Sequence, residues 1–360
     1  MAGPTEVMFS GAAWADGSAL AWLEAQRPAP VVRLDDQRLA VISHAAAREV
    51  LGDSRRFTSR FGTGLHHVEV PGASLNLSDP PVSTALRRLL QPPDVADRER
   101  MVHRATELLD AMAARGGGDL VREFAQPFSL GTFGEVFGVE GAQLEDLGRL
   151  TRAMAGAPDV DTFRAADAAM FAWLGGQRGL FFGDDVGLSA TDALYLRRLI
   201  AQTGFESTAM AIALSVEVLL ARGLPFDARP AAVDELLRFT SPLIRFAREA
   251  TEDTVVAGVD VRKGQRVVVY FPAVNRDPAV FTRPGEVLLE RAPNPHLAFG
   301  AGSHRCFGLE LARAQVSAAI EVLGRLPRIR IGPVVPLEST VTRGLLEFPL
   351  LFRGEGQGEE

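Results

Sequence analysis

The stretch His296-Leu-Ala-Phe-Gly-Ala-Gly-Ser-His-Arg-Cys-Phe-Gly308 constrains this chain more than any other. Gly300, Gly302 and Gly308 surround the sole cysteine, Cys306, with His304 beside it, and an amphipathic run over 309–326 follows at once. A thiol at a helix N-terminus meets free backbone N–H groups and the positive end of the helix dipole, and both favour thiolate. The glycines let the backbone turn tightly around the sulfur and let a large flat ligand approach. Four readings of Cys306 compete. A lone cysteine is most often a small buried hydrophobe. Zinc needs further ligands, and His304 is the only obvious one nearby. A phosphate loop wants a G-K-[ST] ending, which is absent. A thiolate ligand to haem iron fits the pattern best.

The rest of the chain bounds the setting. Hydrophobic residues make up 47% and charged residues 23%, enough apolar surface for a large core and too much for a disordered chain. A net charge of −7 argues against a general nucleic-acid binder. One cysteine excludes an internal disulfide framework and a four-cysteine zinc or iron–sulfur site. The first residues lack a basic region followed by an apolar run, and the apolar stretch at 209–221 is too short for a bilayer. The expectation is a cytoplasmic protein with no membrane span. No Gly/Ser linker or repeat divides it, so one domain over 1–353 is expected, with 354–360 an acidic flexible tail.

Periodicity gives a mainly α fold with a smaller β portion. Segments 97–115, 141–154, 162–178 and 190–221 carry apolar residues at three- and four-residue spacing, the last interrupted by Gly204. Segment 230–239 reads as a helix with Pro230 at its start. Runs 31–34 and 39–43 flank a polar turn and predict a hairpin; 254–259 and 266–271 predict a second, and 334–352 is β-rich.

With these elements in place, Phe299-Gly-x-Gly302-x-His304-x-Cys306-x-Gly308 resembles the haem-binding loop of the cytochrome P450 family. The resemblance implies that fold, with haem b between the long central helix and the cysteine loop, Cys306 as axial ligand, Phe299 against the haem and His304 as a propionate contact. Glu235-Leu-Leu-Arg238 resembles the family's ExxR helix; carboxylate and guanidinium at i and i+3 share a helix face, although such a pair is ordinarily a solvated one. The family's partner to that pair falls at Arg291, and the trio reads as structural. Arg248 stands in a segment whose arginine binds a haem propionate, and Arg87, in Asp79-Pro-Pro-Val-Ser-Thr-Ala-Leu-Arg87-Arg88, is similarly implied. Ser83 replaces the family's usual histidine there. Asn275-Arg-Asp-Pro278 is a further signature. Thr203-Gly-Phe-Glu206-Ser207-Thr208 resembles the oxygen-activating stretch. Glu206 fits the acid, Ser207 the alcohol and Thr208 the residue completing it, while Thr203 replaces a small residue against the haem.

Family analogy puts substrate contacts at Phe205, Leu243, Ile244, Phe246 and Thr342. Members of the family usually run longer: the 57–79 segment is trimmed, and only 29 positions separate Glu206 from Glu235. These cuts predict an open distal face, suited to a bulky or carrier-bound natural-product intermediate. The resemblance implies a haem-thiolate monooxygenase using dioxygen and electrons from NAD(P)H, delivered by a reductase and a ferredoxin that docks near Arg87, Arg88, Arg305 or Arg313. Alternatives are the same chemistry diverted to coupling, cyclisation or peroxide-driven oxidation, a non-catalytic haem sensor, and a packing role for Cys306 without haem.

Overall fold

The computed structural model describes residues 3–90, 97–155, 157, 160–183, 187–326 and 329–352; the expected tail at 354–360 and the boundary at 353 lie outside them. Helices dominate, and each predicted helical segment forms. Asp97 caps the helix Arg98–Ala114 by accepting from the Arg100 N–H. Gly141–Ala155, Val160–Gly175, Pro230–Thr240 and Leu309–Leu323 follow.

The expected long helix is two, Ala190–Thr203 and Glu206–Ala221. Gly204 allows the break, because a Cβ there would lie 2.1 Å from the Phe133 ring. Ala190–Ala221 has the length and hydropathy of a membrane span, but 67% of its most apolar window is buried inside the protein. It behaves as a core segment. Its second half packs with Phe124, Phe128, Leu236, Val316 and Ile320 in the largest apolar cluster.

A five-stranded sheet stands beside this helical body, in the order Val31–Arg33, Arg38–Val41, Arg266–Tyr270, Arg245–Ala250, Phe57–Thr58. The first hairpin forms as expected, with Val31 opposite Val41. The second does not. Thr254–Val256 pairs with Val259–Val261, and Arg266–Tyr270 instead lies between Arg38–Val41 and Arg245–Ala250. Ala257 and Gly258 both adopt positive φ, 48° and 83°, the conformation of a two-residue hairpin turn whose twist matches its strands. The turn falls inside the expected strand 254–259, and Asp260 and Val261, read as part of the connecting turn, belong to the hairpin's second strand.

The shortened connections are visible. No helix intervenes between Ala221 and Pro230, nor between Thr58 and Val82. The latter segment is strapped to the sheet: Arg266 Nη2 donates to the Gly62 and Gly64 carbonyls, both at 2.7 Å, and the Ala247 N–H donates to the Thr63 carbonyl.

Candidate active site

The cysteine loop is fixed from three sides. The Cys306 N–H donates to the Phe299 carbonyl at 2.8 Å, closing the turn. Gly302 has φ +68°, and a Cβ on it would sit 2.3 Å from the Leu51 carbonyl oxygen, so no other residue fits. Asn275 Oδ1 accepts from the Leu297 N–H at 2.7 Å, which explains one residue of the 275–278 signature. Asp277 of the same signature accepts from the His44 N–H at the start of the helix His44–Gly52.

Beneath the loop lies the Glu235–Arg238–Arg291 trio, brought together as the motif implied. Glu235 and Arg238 are fully buried. Arg238 binds both Glu235 oxygens, at 2.7 and 2.8 Å, and Arg291 Nε reaches Oε2 at 2.9 Å. The remaining guanidinium protons go to the carbonyls of Asn275, Pro284, Glu286 and Thr282. A buried ion cluster tolerates desolvation only when satisfied this completely.

Cys306 remains accessible to solvent. Protein crowding around its sulfur pushes the thiol pKa up, and the Gly308 N–H, Arg87 and Arg305 only partly offset this. Burial thus opposes the thiolate that the helix terminus favours, and a metal ion at the sulfur would tip the balance toward it. Arg248 points the same way. Its guanidinium is buried, donates to the Ala247 carbonyl, and has no ion pair among the described residues. Burial depresses its pKa to about 10, with Asp79 opposing. A buried cation lacking an anion fits a ligand carboxylate such as a haem propionate.

Two other cofactor expectations meet different geometry. His304 spends both ring nitrogens on protein, Nδ1 with the Leu75 carbonyl at 2.8 Å and Nε2 with Ser59 Oγ at 3.3 Å. Asp79 lies 3.7 Å from the same Nε2. Burial works to raise the Asp79 pKa, but bonds from His304, Thr58 and Ser59 outweigh it and hold it low. His304 thus ties the cysteine loop to the 59–79 segment rather than presenting a free nitrogen to a carboxylate. Arg87 Nη2 donates to the Arg305 carbonyl at 2.6 Å and its guanidinium lies over Phe307, so it braces the loop from the helix Val82–Leu89. Phe299 packs at the edge of the main core, half-buried, beneath Arg313.

At the helix break, Ser207 is the one exposed residue from 205 to 220. Its hydroxyl thus reaches solvent from an otherwise enclosed helix. Its Oγ donates to the Thr203 carbonyl at 3.4 Å, and Thr203 is exposed beside it, its own hydroxyl on the Leu199 carbonyl. Thr208 turns into the core. Glu206 is buried too, with Oε2 3.5 Å from Gln126 Nε2 and Oε1 without a partner. Burial pushes its pKa up to about 7, against the pull of Arg152 and Gln126. Gln126 and Arg152 were not legible as site residues, since nothing near them in sequence marks them.

The expected substrate wall is partly reassigned. Leu243 and Phe246 are half-buried, and Leu243 bridges to Thr342. Ile244 instead enters the cluster of Met8, Trp14 and Tyr270; it precedes the strand Arg245–Ala250, so it does not share the face of Phe246. Phe205 is fully enclosed, 5.7 Å from the Phe133 ring.

Comparison with known proteins agrees with this geometry. A family model described as Cytochrome P450 matches residues 229–323, the span from the trio's helix through the cysteine loop. The mycinamicin IV hydroxylase/epoxidase of Micromonospora griseorubida is 33% identical, over 91% of this chain and 94% of that protein. The nocardicin C N-oxygenase of Nocardia uniformis subsp. tsuyamanensis is 34% identical, over 91% and 92%. Among solved structures, CYP108D1 from Novosphingobium aromaticivorans superposes with TM-score 0.83 at 23% identity, covering 97% of this chain and 98% of that one. The hydroxylase HmtN gives 0.82 at 27%, covering 96% and 99%. A third of the residues shared with named oxygenases along nine-tenths of the chain, on a common fold, means that this chain belongs to the cytochrome P450 family of bacterial monooxygenases.

Proposed function

We propose that this monooxygenase inserts one atom of dioxygen into a bulky or carrier-bound natural-product intermediate, with Cys306 as the thiolate ligand of haem and electrons arriving from NAD(P)H through a reductase and a ferredoxin. The observation that carries the reading is the pairing of an exposed Ser207 with a buried Glu206 at a helix break, in a chain that also offers an accessible Cys306. When bound, haem supplies dioxygen activation; thiolate donation favours O–O cleavage.

The chain's own residues do the rest. Cys306 and the buried cation Arg248 would hold the group, and the Glu235 trio keeps the loop rigid. Glu206, whose pKa burial raises to about 7, holds a proton far more readily near neutrality than an ordinary carboxyl and passes it to the Ser207 hydroxyl or an adjacent water, which is general-acid work. Leu243 and Phe246 exclude water beside an apolar substrate. P450BioI, solved in complex with an acyl carrier protein, shares this fold, and a 59–81 segment without a helix supports a large substrate here.

Ser207→Ala tests the relay. The reading expects strong loss of dioxygen-driven turnover with surrogate ferredoxin. Unchanged product formation moves the assignment to diverted chemistry, such as coupling or peroxide-driven oxidation.

A further inference from the structure

Three guanidiniums, those of Arg222, Arg276 and Arg343, gather where the helix Pro230–Thr240 ends. Phe239 is buried there, with the guanidinium carbon of Arg222 4.6 Å from its ring centroid and that of Arg276 4.4 Å away. Those two carbons are thus no more than about 9 Å apart. Arg276 Nη2 donates to the Phe239 carbonyl at 3.3 Å, and Arg343 Nη1 to the Thr240 carbonyl at 2.6 Å. Basic side chains ordinarily finish a helix C-terminus in this way. Capping leaves most of each guanidinium's five donors unused. The buried Arg276 Nε has no acceptor, and the one carboxylate in ion-pair range of Arg276 among the described residues is Glu24, at 3.9 Å. Arg222 is exposed, and neither it nor Arg343 has an ion pair among the described residues. Burial lowers the Arg276 pKa to about 10; Arg343, Arg238 and Arg222 push the same way and only Glu24 opposes them. Burial depresses Arg343 as well, against Glu217, whose own carboxyl burial pushes up. Cations here outnumber the carboxylates that could meet them.

We propose that Arg222, Arg276 and Arg343 form an anion site beside Phe239 that takes a phosphate group, as inorganic phosphate or as the monoester of a small molecule. Guanidinium forks match phosphate oxygens two at a time, and a dianion answers an excess of more than one positive charge. The connection from Ala221 to Pro230 has no helix, and the exposed Arg222 at its start leaves the site open to solvent. Three remote parts of the chain meet at this point. Arg222 ends the helix Glu206–Ala221, Phe239 belongs to the helix that carries Glu235 and Arg238, and Arg343 follows Thr342 with its N–H on the Pro242 carbonyl at 2.7 Å. A phosphate held by all three cations staples the end of the central helix to the C-terminal segment. No covalent bond changes, and the site does not depend on the reaction proposed above.

The experiment titrates haem-loaded protein at pH 8 with inorganic phosphate and, separately, with phenyl phosphate, each against sodium chloride at matched ionic strength. Tm is read by differential scanning fluorimetry, and binding by broadening of the phosphorus NMR line. The proteins are wild type, Arg222→Gln, Arg222→Lys and Arg276→Lys, with the carbon monoxide difference spectrum checking that each is folded and loaded. Phosphate also stabilises proteins in general by exclusion from their surface, an effect that does not saturate at millimolar concentration. The expected wild-type response is a Tm rise that saturates in the millimolar range and that chloride does not reproduce. In Arg222→Gln the apparent affinity falls several-fold, while the Tm without phosphate is unchanged or higher, because a cation that repels its neighbours is gone. Arg222→Lys and Arg276→Lys keep the charge but lose the fork, and fall between the two. Tighter binding of the monoester assigns the site to a phosphorylated small molecule, and tighter binding of the inorganic ion assigns it to free phosphate; either supports the proposal. An equal response to chloride, a rise that does not saturate, or an Arg222→Gln response equal to wild type would show general salt effects and overturn it.

Discussion

Glu206 carries a measurable consequence beyond turnover. Its pKa is raised by burial to about 7, from an ordinary value of 4.5. The folded state therefore binds more protons than the unfolded chain between those limits, and stability falls as pH rises through the window. The full effect is about 3 kcal/mol. Glu206→Gln removes it, so the variant gains stability over wild type at pH 8 and shows little gain at pH 4. Urea unfolding at both values checks this; equal differences at the two would contradict it. Glu235 behaves oppositely. Its replacement by Gln leaves Arg238 and Arg291 as buried cations short of a counter-charge, at a cost of about 3–5 kcal/mol. Haem loss on mild heating is the readout. Gly302→Ala meets both a positive φ and the Leu51 carbonyl, and the same readout applies.

Among the elements, the 59–68 segment is strapped to the sheet and the central helix is broken at Gly204. Arg266 spends Nη2 on two carbonyls of the strap, and His67 adds a bond to Glu249 at 2.7 Å. Arg266→Met frees these carbonyls, and amide exchange over 60–68 rises several-fold while the Glu206–Ala221 helix stays protected. Unchanged exchange would show that the strap is held elsewhere. The helices were legible because apolar spacing and caps such as Asp97 act locally. The second hairpin was not, because Ala257-Gly258 is a less familiar turn pair than Asn-Gly and the long-range pairing of Arg266–Tyr270 leaves no local mark. Cys306, Glu235, Arg238 and Arg248 were legible because a motif carries them. Gln126 and Arg152 come from helices remote in sequence, and only the fold brings them to Glu206. Ile244 and Phe205 were assigned by family analogy, which carries a position but not which side of it this chain's core covers; both are buried here.

Across the whole molecule, the sheet, the helical core and the cysteine loop are joined by connections with no helix between Thr58 and Val82 or between Ala221 and Pro230. The electron carrier proposed above would dock on the surface around the loop. Arg313 is engaged with Asp234 and Glu310, and Arg87 braces the loop, which leaves exposed Arg88 and Arg305 as the cations best placed to meet an acidic carrier. Arg88→Glu slows reduction by a surrogate ferredoxin, and the difference shrinks at high salt. Rates equal to wild type at low salt would move the docking surface elsewhere.

All of this turns on the sulfur of Cys306. The direct measurement is the carbon monoxide difference spectrum of the purified, dithionite-reduced protein, beside that of Cys306→Ser. The account predicts the red-shifted Soret band that gives the family its name, and its loss in the variant. A haem spectrum without that shift in the wild-type protein, or no haem at all, would contradict it.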